Sequence, residues 1–155
     1  YILMHGLAKG GLFLCAGIIE HHAKTKDITK MGGLIKYMPI TAVSFLLCAF
    51  SVMGTPPLGG FFSKYMVITG AVANGQFYIA FTYIVGAFLT LIYLLRVFTL
   101  VFLGEAKSEA TKEGSFTMVS SVTVLALLSV VGGVYISYIS GPVQFAAQQM
   151  LGIIK

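Results

Sequence analysis

Ser51-Val-Met-Gly-Thr-Pro-Pro-Leu-Gly-Gly-Phe-Phe-Ser-Lys64-Tyr-Met-Val-Ile-Thr-Gly70 places a glycine- and proline-rich interruption, and then a lysine, inside one apolar stretch. Two consecutive prolines remove two backbone donors and glycines flank them, so a helix through 50–66 is expected to break between Gly54 and Gly60. Lys64 follows the break. An ammonium in hydrocarbon is costly, so lysines at membrane depth face protein or water and usually carry a task. Helix ends exposed at that depth need polar partners and a hydrated cavity. A lysine beside a broken helix therefore points to ion movement.

The rest of the chain supplies the membrane. It has 155 residues, 57% hydrophobic and 10% charged, with a mean hydropathy of +0.93. A soluble domain of this size does not hide that much apolar surface, so the chain reads as an all-α integral membrane protein. Apolar stretches cover 1–22, 38–73 (interrupted), 77–103 and 115–139, against the ~20 residues that a crossing helix needs. Period-2 strands of the kind that build outer-membrane barrels are absent. Cys15 and Cys48 lie inside apolar helices and read as small core residues. The net charge of +5 gathers at membrane edges, which orientation explains and nucleic-acid binding does not. The chain opens at Tyr1 in mid-helix, as the C-terminal piece of something longer or one half of a split subunit would.

The expected crossings are 1–22, 39–73 with its break, 77–103 and 115–139; 140–155 is a tail that could lie along the interface as a short helix. Pro39 suits the first turn of the second helix, and Gly141-Pro142 is expected to end the fourth. Charge decides whether 39–73 crosses once or twice. A single crossing puts the loops 23–37 and 104–114 on one side, with Lys24, Lys26, Lys30, Lys36, Lys107 and Lys112, and leaves only Lys155 opposite. A double crossing splits the lysines against the positive-inside rule. The piece 61–73, at ~1.5 Å per residue, is also too short for ~30 Å of hydrocarbon. One broken crossing is therefore expected, with both loops cytoplasmic and the C-terminus outside. The loop 104–114, with Glu105, Lys107, Glu109, Lys112 and Glu113, reads as a solvated connector. The fourth helix has no ionisable residue and reads as lipid-facing or packing structure.

His5 and Lys9 stand four apart and share a helix face, with Gly6, Ala8, Gly10 and Gly11 letting a neighbour or water come close. Lys9 lies ~20 Å of helix from His22, further than its stem can snorkel. His5 alone would read equally as a buried neutral imidazole; paired with Lys9 it is a relay candidate. A desolvated lysine can also trade protons near neutral pH. Arg96 stays charged and cannot relay, so it reads as a snorkelling residue or an ion-pair partner. Glu20, His21 and His22 sit at a helix end without further ligands at useful spacing, and no metal site is expected.

At these residues the chain resembles the antiporter-like subunits of respiratory complex I, of multi-subunit cation/proton antiporters and of membrane-bound hydrogenases. The resemblance rests on His5-x-x-x-Lys9-x-x-Leu-Phe-Leu-x-x-Gly17, Asp27-Ile-x-Lys30-Met-Gly-Gly-Leu34, Met38-Pro39, Gly54-x-Pro-Pro-Leu-x-Gly-Phe-Phe-Ser-Lys64 and Tyr93-Leu-Leu-Arg96-Val-Phe98. It covers residues 1 to about 104, roughly two thirds of the chain. It implies the last four helices of an antiporter-like bundle, with 39–73 as the family's broken helix. Lys64 then falls on the lysine, glutamate in some members, that ends a proton half-channel, and His5 and Lys9 fall on the adjoining polar helix. The family's first broken helix, with its lysine and glutamate, would lie upstream of Tyr1. The run Ala8 to Glu20 leans toward the hydrogenase-type complexes.

The expectation is proton or cation translocation by a non-redox subunit of a membrane oxidoreductase complex, along Lys64, Lys9, His5 and bound water. The alternatives are a Na⁺/H⁺ antiporter subunit and a structural membrane subunit that conducts nothing. No cysteine cluster or nucleotide loop binds a redox cofactor in this chain, so such cofactors are expected in peripheral partner subunits. The other expected partners are upstream antiporter-like helices, further membrane subunits and lipid, in a prokaryotic plasma membrane.

Overall fold

The computed structural model describes residues 1–107 and 113–152. Glu109, Lys112 and Lys155, which the sequence places in the second loop and at the C-terminus, lie outside the described residues. The described residues form helices α1 (Ile2–Ala23), α2 (Pro39–Met53), α3 (Gly59–Ala73), α4 (Phe77–Phe102), α5 (Phe116–Val134) and α6 (Ile136–Met150), with short 3₁₀ turns at Ile28–Lys30 and Leu34–Lys36.

Three of these are long and apolar enough to cross a membrane: α1, α4 and α5, with mean hydropathies of 1.7, 2.2 and 2.0. Helices α2 and α3 have 15 residues each, ~22 Å apiece, so neither spans ~30 Å alone. Pro39 opens α2 at a position where a missing N–H leaves no gap. The interruption runs from Gly54 to Leu58. Gly54 closes α2 in the left-handed region (φ 90°), its N–H bonding the Ser51 carbonyl at 3.1 Å while the Thr55 N–H bonds the Phe50 carbonyl at 3.0 Å. That pair of bonds is a Schellman cap, and the left-handed residue it needs is why glycine stands at position 54.

Between apolar helices in lipid, close approach replaces the hydrophobic driving force, and small residues permit it. A Cβ on Gly11 of α1 would collide with the Cys48 sulfur of α2, and Gly59 at the start of α3 lies against the Met4 sulfur of α1. Phe45 of α2 packs on Phe98 and Phe102 of α4, with ring centroids 6.2 and 5.4 Å apart. The two interhelical loops touch: the Gly33 N–H bonds the Leu103 carbonyl at 3.0 Å, and Lys107 Nζ donates to the Thr29 carbonyl at 3.2 Å. Gly33 is itself left-handed (φ 63°), and side chains at 32 and 33 would strike the backbone of 104–106.

The end of the last expected crossing, 115–139, differs from the expectation. Helix α5 stops at Val134, and α6 begins at Ile136 and runs through Gly141-Pro142. The boundary is set by packing: a Cβ on Gly133 would fall on the backbone of Pro57, Leu58 and Gly59, so α5 is clamped to the interruption there and the chain turns just after it. Pro142 therefore falls inside α6 instead of ending the helix before it.

Candidate functional site

Lys64 stands on the second turn of α3 and folds back across the interruption. Its Nζ donates to the carbonyl of Met53, the last residue of α2, at 3.2 Å. The aliphatic stem lies over Gly54, where a Cβ would stand 3.1 Å from Lys64 Cδ. The final carbonyls of a helix lack intrahelical partners and carry its negative dipole end. An ammonium there is well placed electrostatically, and among the described residues no carboxylate pairs with this half-buried side chain. Beside it, the buried Ser63 hydroxyl donates to the carbonyls of Gly59 at 2.8 Å and Gly60 at 3.2 Å.

Helix α1 brings the other two candidates to the same seam. Met4 rests on Gly59, and one residue on, half-buried His5 lies within electrostatic range of both Lys9 and Lys64. The His5 ring stacks on Tyr1 with centroids 5.1 Å apart, and Tyr1 meets Tyr83 of α4 edge-on at 6.0 Å. Lys9 is half-buried on the next turn of α1. Arg96 is not part of this group; it is exposed on α4. Glu20 pairs with Lys26 at 3.3 Å, His22 Nδ1 bonds the Ile18 carbonyl at 3.0 Å, and the His21 and His22 rings meet edge-on with centroids 5.1 Å apart.

Sequence reasoning passed over three residues that build this site and a fourth at the far end of α2. Ser51 and Ser129, both fully buried, share a hydroxyl bond of 2.7 Å between α2 and α5, and the Gly60 N–H donates to Ser51 Oγ at 3.3 Å. Gly133 docks the interruption against α5. Glu113 Oε1 accepts the Thr41 N–H in the first turn of α2 at 2.7 Å. The available signals were Ser129, the one polar residue of α5 after Thr123, and the small pair Gly132-Gly133.

In the loop between α1 and α2, Asp27 accepts from both the Thr29 hydroxyl (2.6 Å) and the Thr29 N–H (3.0 Å). Those bonds, led by the hydroxyl, hold its carboxyl below the usual carboxylate range, with Lys30 assisting at 3.6 Å.

The far half of the broken helix thus returns a lysine to the first half's end, with His5 of α1 in electrostatic range of it. Residues 1–90 match the family described as NADH:quinone oxidoreductase/Mrp antiporter, transmembrane region, and the chain belongs to that family. It is 36% identical over 155 residues to the D-type Na⁺/H⁺ antiporter subunit of Bacillus subtilis, covering 97% of this chain and 31% of that protein. It is 39% identical over 109 residues to the L-type NADH-quinone oxidoreductase subunit of Rickettsia typhi, covering 70% and 16%. In fold it matches a chain of the Mrp complex from Dietzia sp. with a TM-score of 0.84 and 24% identity, covering 90% of this chain and 34% of that one. The chain thus spans under a third of the length of these two relatives.

Proposed function

We propose that the chain forms part of a proton- or cation-translocating subunit within a multi-subunit membrane complex. The observation that carries this reading is the Lys64–Met53 bond across the interruption, with His5 and Lys9 on the adjoining face of α1. In this reading α2 and α3 together make one broken crossing, the fourth beside α1, α4 and α5. The contact between the two lysine-bearing loops supports their lying on one side of the membrane, the cytoplasmic side by charge. The C-terminus then lies outside, with α6 near the outer interface, in a prokaryotic plasma membrane.

Protons move between His5, Lys9 and Lys64 through water admitted beside the interruption. When Lys64 is charged, the end of α2 holds it; when it is neutral, that carbonyl releases it. Arg96, always charged, serves as an anchor or pairs with a carboxylate of a neighbouring segment. Redox cofactors, where the complex uses them, belong to partner subunits.

Two host complexes fit the family. In an oxidoreductase, electron transfer elsewhere in the complex drives translocation; in a Na⁺/H⁺ antiporter, one ion is exchanged for the other. The alignment with the Bacillus antiporter protein, which takes in nearly all of this chain, favours giving the second reading equal weight. Both are tested by purifying the complex that contains this chain and reconstituting it in vesicles. Proton movement driven by a Na⁺ jump identifies exchange; movement driven only by a redox substrate identifies the oxidoreductase. Unchanged transport by Lys64→Ala in an assembled complex would leave only a structural role.

A further inference from the structure

We propose that Ser129 of α5 is a positioning residue for Lys64, acting through Ser51 and the two helix ends at the interruption. The inference rests on Lys64 working in ion transfer, and the experiment below separates the two.

The N-terminus of α3 has no side-chain cap of its own; its N-cap is Leu58. The Gly60 N–H, one of the free donors of that first turn, is taken by Ser51 Oγ from α2. The same Ser51 also accepts the Gly54 N–H on its carbonyl within the Schellman cap. One residue therefore ties the end of α2 to the start of α3. A serine hydroxyl has one proton and two acceptor sites. Ser129 donates its proton to one of them at 2.7 Å, which fixes how the other meets Gly60. Both serines are fully buried, so water does not replace either bond.

The fit is tight on every side. A Cβ at Gly60 would fall on the Ser51 carbonyl, so the two half-helices touch backbone to backbone. Leu125, Ser129 and Gly133 stand four apart and share one face of α5. Leu125 lies against Gly10 and Gly11 of α1, beside Lys9, while Gly133 lies against Pro57 to Gly59. A single face of α5 thus holds the helix carrying Lys9 and the break that aims Lys64. The Lys64–Met53 bond spans the same two half-helices, so its length follows from how they are held, and small misplacements of reacting groups cost rate steeply.

The test uses the full assembled complex in proteoliposomes, with proton flux read against pH under whichever drive, a Na⁺ jump or a redox substrate, moves protons in the wild-type complex. Ser129→Ala is expected to lower flux about three- to tenfold, the loss of one buried hydrogen bond expressed at the transfer step, and to displace the pH–rate profile. Ser44→Ala, about two turns earlier on α2, is expected to leave the profile in place. The Ser51→Ala/Ser129→Ala pair is expected to be no worse than the worse single variant, because the two hydroxyls act as a unit. Should Ser129→Ala fail to assemble, the double variant, which leaves no unpaired hydroxyl, is read by the same criteria. Wild-type flux and profile in Ser129→Ala, with Lys64→Ala inactive, overturn the positioning role and leave the proposed function standing. Wild-type flux in Lys64→Ala overturns both.

Discussion

Lys64 Nζ donates to the carbonyl of Met53 at 3.2 Å, so a side chain of one half-helix completes the C-terminal cap of the other. The bond gives a charged group inside an apolar bundle a partner that is itself in need of one. It also makes the lysine's position a direct report of how the helix is broken.

This duality separates structure from transport. Arginine at 64 can still donate to the Met53 carbonyl, but it does not release a proton in the working range. Lys64→Arg is therefore expected to assemble normally and lose ion-driven proton flux by roughly a hundredfold or more, the scale of a lost acid–base group. Lys64→Ala should lose both flux and the cap, with stability reduced by about 1 kcal/mol. Flux assays on vesicles and thermal unfolding of the purified complex read the two effects apart.

The glycines make a graded prediction. A Cβ at Gly133 would meet backbone atoms of three residues, whereas one at Gly86 of α4 would meet nothing within 4 Å. Gly133→Ala is expected to destabilise by about 1–3 kcal/mol, as overpacking against rigid backbone does, and to reduce flux through its effect on the interruption. Gly86→Ala is expected to be neutral or stabilising by up to about 1 kcal/mol from helix propensity. Thermal unfolding of the two variants side by side checks the order.

How much of this could be read from the chain depends on how local each cause is. The interruption was legible because Pro56-Pro57 and Gly54 act on their own backbone, whatever surrounds them. The end of α5 was not. Gly141-Pro142 carries the stronger local signal, yet the helix turns at Tyr135 because Gly133 is pinned by residues 57–59, some seventy positions away in sequence. Lys64 was legible as an anomalous charge, but its partner is a main-chain carbonyl that no residue type announces. Ser51 and Ser129 were missed because a hydroxyl in an apolar helix is usually satisfied within its own turn. Here the bond that matters joins two helices.

Glu113 illustrates the same limit. In sequence it belongs to a mixed-charge connector with Glu105 and Lys107, and only the fold shows it accepting the Thr41 N–H. A carboxylate at a helix N-terminus satisfies a free donor and meets the positive end of the dipole. Glu113→Ala is expected to cost about 1 kcal/mol and Glu113→Gln less, measured as a fall in melting temperature. Lys107→Ala, which removes an exposed bond to the Thr29 carbonyl, should stay within about 0.5 kcal/mol of wild type and leave flux unchanged.

The last prediction concerns pH and the loop before α2. Asp27 is held as the carboxylate by the Thr29 hydroxyl first and the Thr29 N–H second, so its carboxyl titrates below the usual value near ~3.9. A group whose folded-state pKa is depressed contributes order above its unfolded pKa and loses that contribution as pH falls through the folded value. The turn at Ile28–Lys30, capped by Asp27, is therefore expected to stay formed at every pH above about 4 and to loosen only below it. Asp27→Asn, which keeps an acceptor oxygen but not the charge, should remove that acid transition and retain most of the turn; Asp27→Ala should loosen the turn at all pH values. Amide hydrogen exchange at Thr29 across an acid titration distinguishes them, after correction for the intrinsic pH dependence of exchange. Equal acid loosening in Asp27→Asn and wild type would show that another group controls the loop.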